Sequence, residues 1–295
     1  MNPQALARCT ATLAELIRRT STELPADIAA ALAAGRAAEA PGDRADATLG
    51  TILDNAALAA TRTVPMCQDT GTLTFWFDVP RGSDARFYGE AAREAVRIAT
   101  AKGWLRLNVI DVPSGAQIAD NVAEGNPTIH IAQRDVAQAT ARLLMKGGGS
   151  ENMSVQYSLP DTTLGAGRDL EGVRRCLLDA VWRAQGNGCA PGILGVCIGG
   201  DRANGFEKAK EQLLRALDDV APDPSLAELE RRVLREANAL GIGPMGLGGA
   251  TTLLGVKVAT LPRLPASYFV TVAYGCWACR RGSAALEGSG VRVQG

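Results

Sequence analysis

Met66-Cys67-Gln68-Asp69-Thr70-Gly71-Thr72 places a thiol, an amide, a carboxylate and a hydroxyl on consecutive residues. Pro65 precedes the run, and Leu73-Thr74-Phe75-Trp76-Phe77 follows it with the character of a strand. Side chains able to bind metal, hydrogen-bond and move protons thus crowd a turn at the mouth of a buried element. Cys189, in Asn187-Gly188-Cys189-Ala190-Pro191-Gly192, and Cys276, in Gly275-Cys276-Trp277-Ala278-Cys279-Arg280-Arg281, lie in comparable turns. Three thiolates without histidine partners suit soft metal ions and iron–sulfur clusters. Their separations are far longer than the tight cysteine runs of ferredoxins. Composition and spacing by themselves therefore favour three structural cysteines.

The remaining chemistry-bearing residues narrow the choice. Cys9 and Cys176 fall in helical patterns and read as small buried apolar residues. Cys276 and Cys279 form a Cys-x-x-Cys, which suits a redox pair or half a zinc site. A zinc knuckle needs a second such pair, and the chain has none. His130, the one histidine, sits in Thr128-Ile129-His130-Ile131 and reads as a hydrogen-bonded strand residue. A Cys2His2 zinc site or a Ser-His-Asp triad would rest on that residue alone. Lys146-Gly147-Gly148-Gly149-Ser150 allows close backbone approach and an anion nest, but lacks the spacing of a phosphate loop. Gly241, Gly243 and Gly246 give G-x-G-x-x-G, but no strand precedes them, so they do not form a dinucleotide fingerprint.

Totals exclude several classes. At 295 residues the chain buries about 75% of its unfolded surface and needs no disulfide staples. Apolar residues make up 46% and charged residues 21% of the sequence, the balance of a globular protein. Lys+Arg and Asp+Glu are both 31, so nothing points to nucleic acid or an anionic membrane. No apolar run reaches the roughly eighteen residues of a transmembrane helix, and the N-terminus, with Arg8, Glu15 and Arg18, lacks the apolar core of a signal peptide. Seven scattered cysteines, an odd number, fit metal ligation or catalysis in a reducing compartment, and a cytoplasmic location is expected.

The elements that must hold these residues interleave, which predicts a mixed α/β fold of mixed sheets with surrounding helices, one domain over 1–295. Residues 4–34 read as two helices broken at Leu24-Pro25-Ala26-Asp27, and 45–60 as a third, giving a helical N-terminal region to about residue 62 that packs helix on helix. Strands are predicted over 72–79, 128–133, 136–145, 192–198, 251–261 and 267–275. Helices are predicted over 85–102, 169–184, 205–217 and 225–240, the last capped by Gly241. The tail, 288–295, is expected to be loose.

Ordered motifs give the pattern a family. Val64-Pro65-Met66-Cys67-Gln68-Asp69-Thr70-Gly71 resembles the Cys-Gln-Asp-Thr-Gly signature of class I, iron–sulfur-dependent fumarate hydratases and the related L-tartrate dehydratases. Lys146 to Ser154, Cys189-Ala190-Pro191-Gly192-Ile193-Leu194-Gly195, Gly241 to Gly249 with Thr251 to Gly255, and Cys276-Trp277-Ala278 with Arg280-Arg281 are similar to four further motifs of that family, in order. The chain resembles the alpha subunit of the two-subunit form, or the N-terminal domain of the fused form. The resemblance implies a 4Fe–4S cluster held by Cys67, Cys189 and Cys276; Cys197, which follows a buried apolar run, and Cys279, three residues past Cys276, read as spectators. It implies that Gln68, Asp69, Arg106 and Gly148 contact a small dicarboxylate, with Asp69 in proton transfer. It implies a separate beta subunit and a higher hetero-oligomer, with interconversion of fumarate and (S)-malate favoured over tartrate dehydration. A non-catalytic metal-binding scaffold is the reading from a different class. Gly115-Ala116-Gln117-Ile118-Ala119-Asp120-Asn121 departs from the family pattern. Energetics agree with a metal. Acid–base help alone supplies about 10²–10⁴-fold, roughly 3–5.5 kcal/mol, and removing a proton beside a carboxylate needs more. A Lewis acid adds several kcal/mol.

Overall fold

Apolar stripes and turn residues set the elements. In chain order they are α1 (Pro3–Thr22), α2 (Ala26–Ala38), α3 (Arg44–Arg62), β1 (Thr72–Pro80), α4 (Ala85–Ala101), β2 (Thr128–Arg134), β3 (Thr140–Lys146) and α5 (Gly148–Asn152). They continue with β4 (Val155–Ser158), α6 (Leu170–Ala184), β5 (Gly192–Gly199), α7 (Arg202–Gln212), α8 (Pro224–Asn238), β6 (Leu253–Leu261), β7 (Phe269–Gly275) and β8 (Arg280–Ala285). The structure, a computed structural model, describes residues 2–286, and the tail expected to be loose, 288–295, lies outside them. The chain divides into two compact units: Met1–Pro25, Asn55–Gly147 and Arg280–Gly295 form the first, Ala26–Asp54 and Gly148–Cys279 the second. One of the four boundaries, Asp54/Asn55, falls inside α3.

The first unit is built on a four-stranded sheet in the order β2-β1-β3-β8. β1 runs parallel to β2 and antiparallel to β3, which is antiparallel to β8. Helices α1 and α4 cover one face. Leu13, Leu16 and Ile17 of α1 and Phe87, Ala91, Ala95 and Val96 of α4 close a core with Phe75, Phe77, Leu143 and Met145. α1 starts cleanly because the Asn2 side chain accepts from the amides of Gln4 and Ala5, and Asp84 caps α4 by accepting from Arg86. α1 packs on α4 and on the sheet. On the other face Trp76 stacks on His130, its β2 neighbour, with ring centroids 5.4 Å apart. His130 is thus a strand residue, as its alternation predicts.

The second unit holds a sheet in the order β4-β7-β5-β6, with β5 parallel to β6 and β7 antiparallel to β4 and β5. β5 is buried at every residue, as a strand covered on both faces must be. Leu194, Val196 and Ile198 meet α6 and α8 through Val173, Leu177, Val181 and Val233. Gly195 belongs to the other face, where a Cβ would fall 2.2 Å from the Ala209 carbonyl oxygen of α7. Glu39, after α2, reaches the amides of Ala250 and Thr251 at 2.9 and 2.8 Å. No helix among the described residues is long and apolar enough to cross a membrane.

β4 and β8 escape the sequence reading. β4 is four residues long, and β8 opens with two arginines, so neither shows apolar alternation. Packing separates the core from the surface in energy. Leu143→Ala empties a fully buried position and should lower unfolding free energy by roughly 2–5 kcal/mol. Arg81→Ala, at the exposed Arg81–Asp135 pair, should leave it close to wild type, because solvent screens such a pair. Denaturant midpoints of the two variants check both.

Candidate active site

The Cys67 turn is anchored before it is functional. The Met66 amide donates to the Ser21 carbonyl at 3.0 Å, and Asn55 donates from its side chain to the Met66 carbonyl at 2.9 Å. Met66 is buried, Cys67 half-buried and Gln68 exposed. Two glycines then admit the turn to the end of the sheet. Gly71 has φ +79°, and a Cβ there would lie 2.5 Å from the backbone carbonyl of Lys146. A Cβ on Gly147 would lie 3.1 Å from Asp69 Oδ2 and 3.5 Å from Arg280 Nη2. Arg280 is buried, and its Nη1 donates to the Asp69 carbonyl oxygen at 2.7 Å. Lys146, last residue of β3, is buried opposite Thr72. One end of this sheet thus gathers a thiol, a carboxylate and two buried cations.

Arg106 reaches the same turn through its loop. The Thr70 hydroxyl donates to Asn108 Oδ1 at 3.3 Å. Asn121 Oδ1 accepts from the amides of Asn108 and Val109, and Asn121 Nδ2 donates to the Arg106 carbonyl at 2.8 Å. Asn121 is buried at φ +57°, a left-handed conformation that asparagine tolerates better than most residues. The Arg106 side chain is exposed, so its guanidinium meets solvent on a backbone that is fixed. Asn121 lies in the segment that departs from the family pattern. Its structural importance was missed, although an asparagine in a Gly-rich loop is a signal for left-handed backbone.

In the second unit the turns of Cys189 and Cys276 are joined. The Trp277 amide donates to the Cys189 carbonyl at 3.2 Å. The buried Tyr274 ring packs against Gly188 and Gly192, where a Cβ would fall 2.3 and 2.4 Å from it. Burial, then the Cys276 and Cys189 thiols, push the Tyr274 phenol above its ordinary range. Cys189 itself is exposed at φ +55°, a strained conformation for a residue with a side chain. The Gly-rich stretch after α8 is the brace for this turn. Met245 donates its amide to the Ala190 carbonyl at 2.9 Å, and Gly192 donates to the Thr252 carbonyl at 3.0 Å. A Cβ on Gly186 would meet the Met245 carbonyl oxygen at 2.2 Å. Gly241 to Gly249 follows a helix rather than a strand, which leaves the dinucleotide reading without its context.

Lys146 to Ser150, which the sequence reads as a turn able to offer an anion nest, forms the end of β3 and the first turn of α5, with Gly148 as the first helical residue. Of the seven cysteines, Cys189 is exposed, Cys67 and Cys276 are half-buried and the other four are buried. Cys197 is fully buried within β5, and Cys279 is buried with its S–H directed to the Leu213 carbonyl at 3.7 Å. Among the described residues no three His, Cys, Asp or Glu side chains group so as to hold a metal ion, the three predicted cysteine ligands included. The donors in the three turns are thiols, the ligands that iron–sulfur clusters take.

Burial separates reactive from inert thiols. It pushes Cys9 and Cys197 up to about 11 and Cys176 up to about 12. At pH 8 a thiol at about 11 is roughly 0.1% thiolate, the reactive form. Iodoacetamide on the native metal-free chain should therefore modify Cys67, Cys189 and Cys276 first. Cys9, Cys176, Cys197 and Cys279 should label at least about tenfold more slowly, as read by peptide mapping.

Comparison with known proteins supplies the family. A model described as "Fumarate hydratase (Fumerase)" matches residues 10–285. A Geobacillus stearothermophilus protein provisionally named fumarate hydratase class I is 47% identical over 90% of this chain and 52% of its own length. A Methanocaldococcus jannaschii protein provisionally named L(+)-tartrate dehydratase subunit alpha is 32% identical over 90% of this chain and 93% of its own. The L(+)-tartrate dehydratase subunit alpha of Escherichia coli K12 is 31% identical over 95% of this chain and 91% of its own. The chain thus spans about half the length of the first relative and nearly all of the other two. It belongs to the fumarate hydratase (Fumerase) family.

Proposed function

We propose that this chain is the alpha part of an iron–sulfur hydro-lyase that interconverts fumarate and (S)-malate. The observation that carries the reading is the higher identity to a protein named fumarate hydratase class I, 47%, than to proteins named tartrate dehydratase, 31–32%. The tied turns of Asp69 and Arg106 support it, because a dicarboxylate needs a cation and a proton-transfer group held together. A tartrate dehydratase alpha subunit is the second reading. It is favoured by the relatives named L(+)-tartrate dehydratase subunit alpha, which match along more than nine-tenths of their own chains. The names of these relatives support a separate beta subunit, and in this reading the complex is a higher hetero-oligomer with residues 1–295 as one catalytic alpha domain. A cytoplasmic setting belongs to this reading, since seven scattered cysteines, an odd number, fit a reducing compartment.

In this reading Cys67, Cys189 and Cys276 hold a 4Fe–4S cluster, and Cys197 and Cys279 do not. When bound, the cluster supplies a Lewis acid for the departing hydroxyl, through an iron without a protein ligand. The protein's own groups do the rest. Arg106 grips one substrate carboxylate, for which a guanidinium offers two parallel donors. The Gly148 amide and the Gln68 side chain hold the other polar atoms of the substrate. Asp69 moves the carbon-bound proton, and its backbone is fixed by Arg280 while its carboxylate faces the bare Gly147 position. The beta subunit closes over these groups, excludes water and strengthens their electrostatic contacts.

The chain, reconstituted anaerobically, should hold about four irons and four sulfides. Turnover should require the partner subunit, be lost in air, and return with iron and reductant. Binding of one zinc without iron would instead support the scaffold reading, and turnover of L-tartrate rather than fumarate the second. Cys67→Ser, Cys189→Ser and Cys276→Ser should each lose cluster absorbance, whereas Cys197→Ser and Cys279→Ser keep it.

Side-chain roles separate in kinetics. Asp69→Asn should lower kcat by about 10²-fold or more with a full cluster. Arg106→Met should lower kcat/KM by about 10–100-fold, and Arg106→Lys should restore little of it, because a lysine lacks the planar fork.

A further inference from the structure

Arg280 heads the largest fully buried side chains of the described residues at 1% exposure. Its setting is poor for stability. Nη1 is satisfied by the Asp69 carbonyl oxygen at 2.7 Å, but the buried Nε has no hydrogen-bond partner. A buried cation with an orphan donor costs free energy, and an apolar side chain of similar volume is often as stable or more so. The guanidinium therefore does something that packing does not require.

Its place shows what. The Arg280 backbone pairs with Met145 at the start of β8, one residue before Lys146 pairs with Thr72 on the other side of β3. From there the side chain reaches the turn that precedes β1. Nη1 holds the main chain of Asp69, and Nη2 approaches the bare Gly147 position that Asp69 Oδ2 also faces. Asp69 is half-buried, and its neighbours Cys67 and Gln68 are half-buried and exposed, so apolar packing does not fix this turn. On one side it is anchored through Met66, on the other through Gly71 against Lys146. Between those anchors Arg280 supplies a contact from another strand, its Nη1 bond to the Asp69 carbonyl.

We propose that Arg280 is a positioning residue. It locks the Cys67–Asp69 turn by its hydrogen bond to the Asp69 carbonyl and thereby sets the direction of the Asp69 carboxylate. It touches neither substrate nor reacting atoms. The kinetic consequence rests on the proposed role of Asp69 in proton transfer, whereas the structural lock does not.

The test uses Arg280→Met and Arg280→Lys in the full chain. The first readout is hydrogen–deuterium exchange of the metal-free protein. In Arg280→Met the amides of 67–71 should exchange about tenfold faster while those of α4 and β3 stay as in wild type, because the opening is local. The thermal midpoint should move by less than about 4 °C. In the reconstituted enzyme with its partner, Arg280→Met should keep its iron and sulfide. There kcat should fall about tenfold or more with KM within about threefold. Arg280→Lys, whose ammonium can donate to the same carbonyl, should recover most of both effects. Unchanged exchange at 67–71 in Arg280→Met overturns the lock, as does faster exchange spread evenly over the first unit, or a lysine variant no better than methionine. If wild-type protein turns over neither fumarate nor tartrate, the proposed function has failed, and the exchange arm still decides for or against the lock.

Discussion

A missing Cβ at Gly71 lets the Cys67 turn lie against the end of β3, where any side chain would come within 2.5 Å of the Lys146 carbonyl. The arrangement of the first unit's site follows from that approach. It brings Thr72 into register with Lys146, so β1 starts at the turn. It sets Asp69 toward Gly147, the next bare position. It also leaves the Asp69 carbonyl within reach of Arg280 on β8. A left-handed φ of +79° makes the same demand independently, since other residues meet it only at a cost.

The second unit solves the same problem with an aromatic ring. Tyr274 fills the space that side chains at Gly188 and Gly192 would take, so the Cys189 turn is shaped against a rigid plane. Backbone hydrogen bonds from Trp277 and Met245 then fix its carbonyls. The result is a cysteine that is exposed and yet conformationally held, at a left-handed φ that the surrounding bonds sustain. An exposed thiol on a held turn is the condition a metal ligand needs. The buried thiols of Cys9, Cys176 and Cys197 meet the opposite condition, since burial disfavours their thiolates.

Polar side chains carry the long-range organisation that apolar packing leaves open. Asn121 gathers three backbone groups of the Arg106 loop, and Glu39 ties the end of α2 to the start of the segment that feeds β6. Asn238 does the same for Thr252 and Leu253, accepting both amides at 2.9 and 2.8 Å. Each of these side chains satisfies backbone donors that a loop would otherwise bury unpaired. The loops therefore hold defined shapes without regular secondary structure, which is what allows them to present Arg106 and to brace Cys189.

Periodicity in the sequence was enough for most of the elements, because burial of an apolar face writes a repeat of 3.6 or 2 into the chain. β1, α4, α6, β5 and β7 follow it to within a residue or two. The consecutive Cys67-Gln68-Asp69 and its kin marked the chemistry and the family, since motif order survives without knowledge of contacts. Tertiary structure decided what no local pattern contains. β8 is a strand only because β3 offers it an edge, for its two leading arginines give no apolar alternation. Gly148 to Asn152 closes into a short helix. The partners of Arg280, Asn121 and Tyr274 lie far away in sequence, and hydrogen bonds and van der Waals contacts act over distance in space, not along the chain.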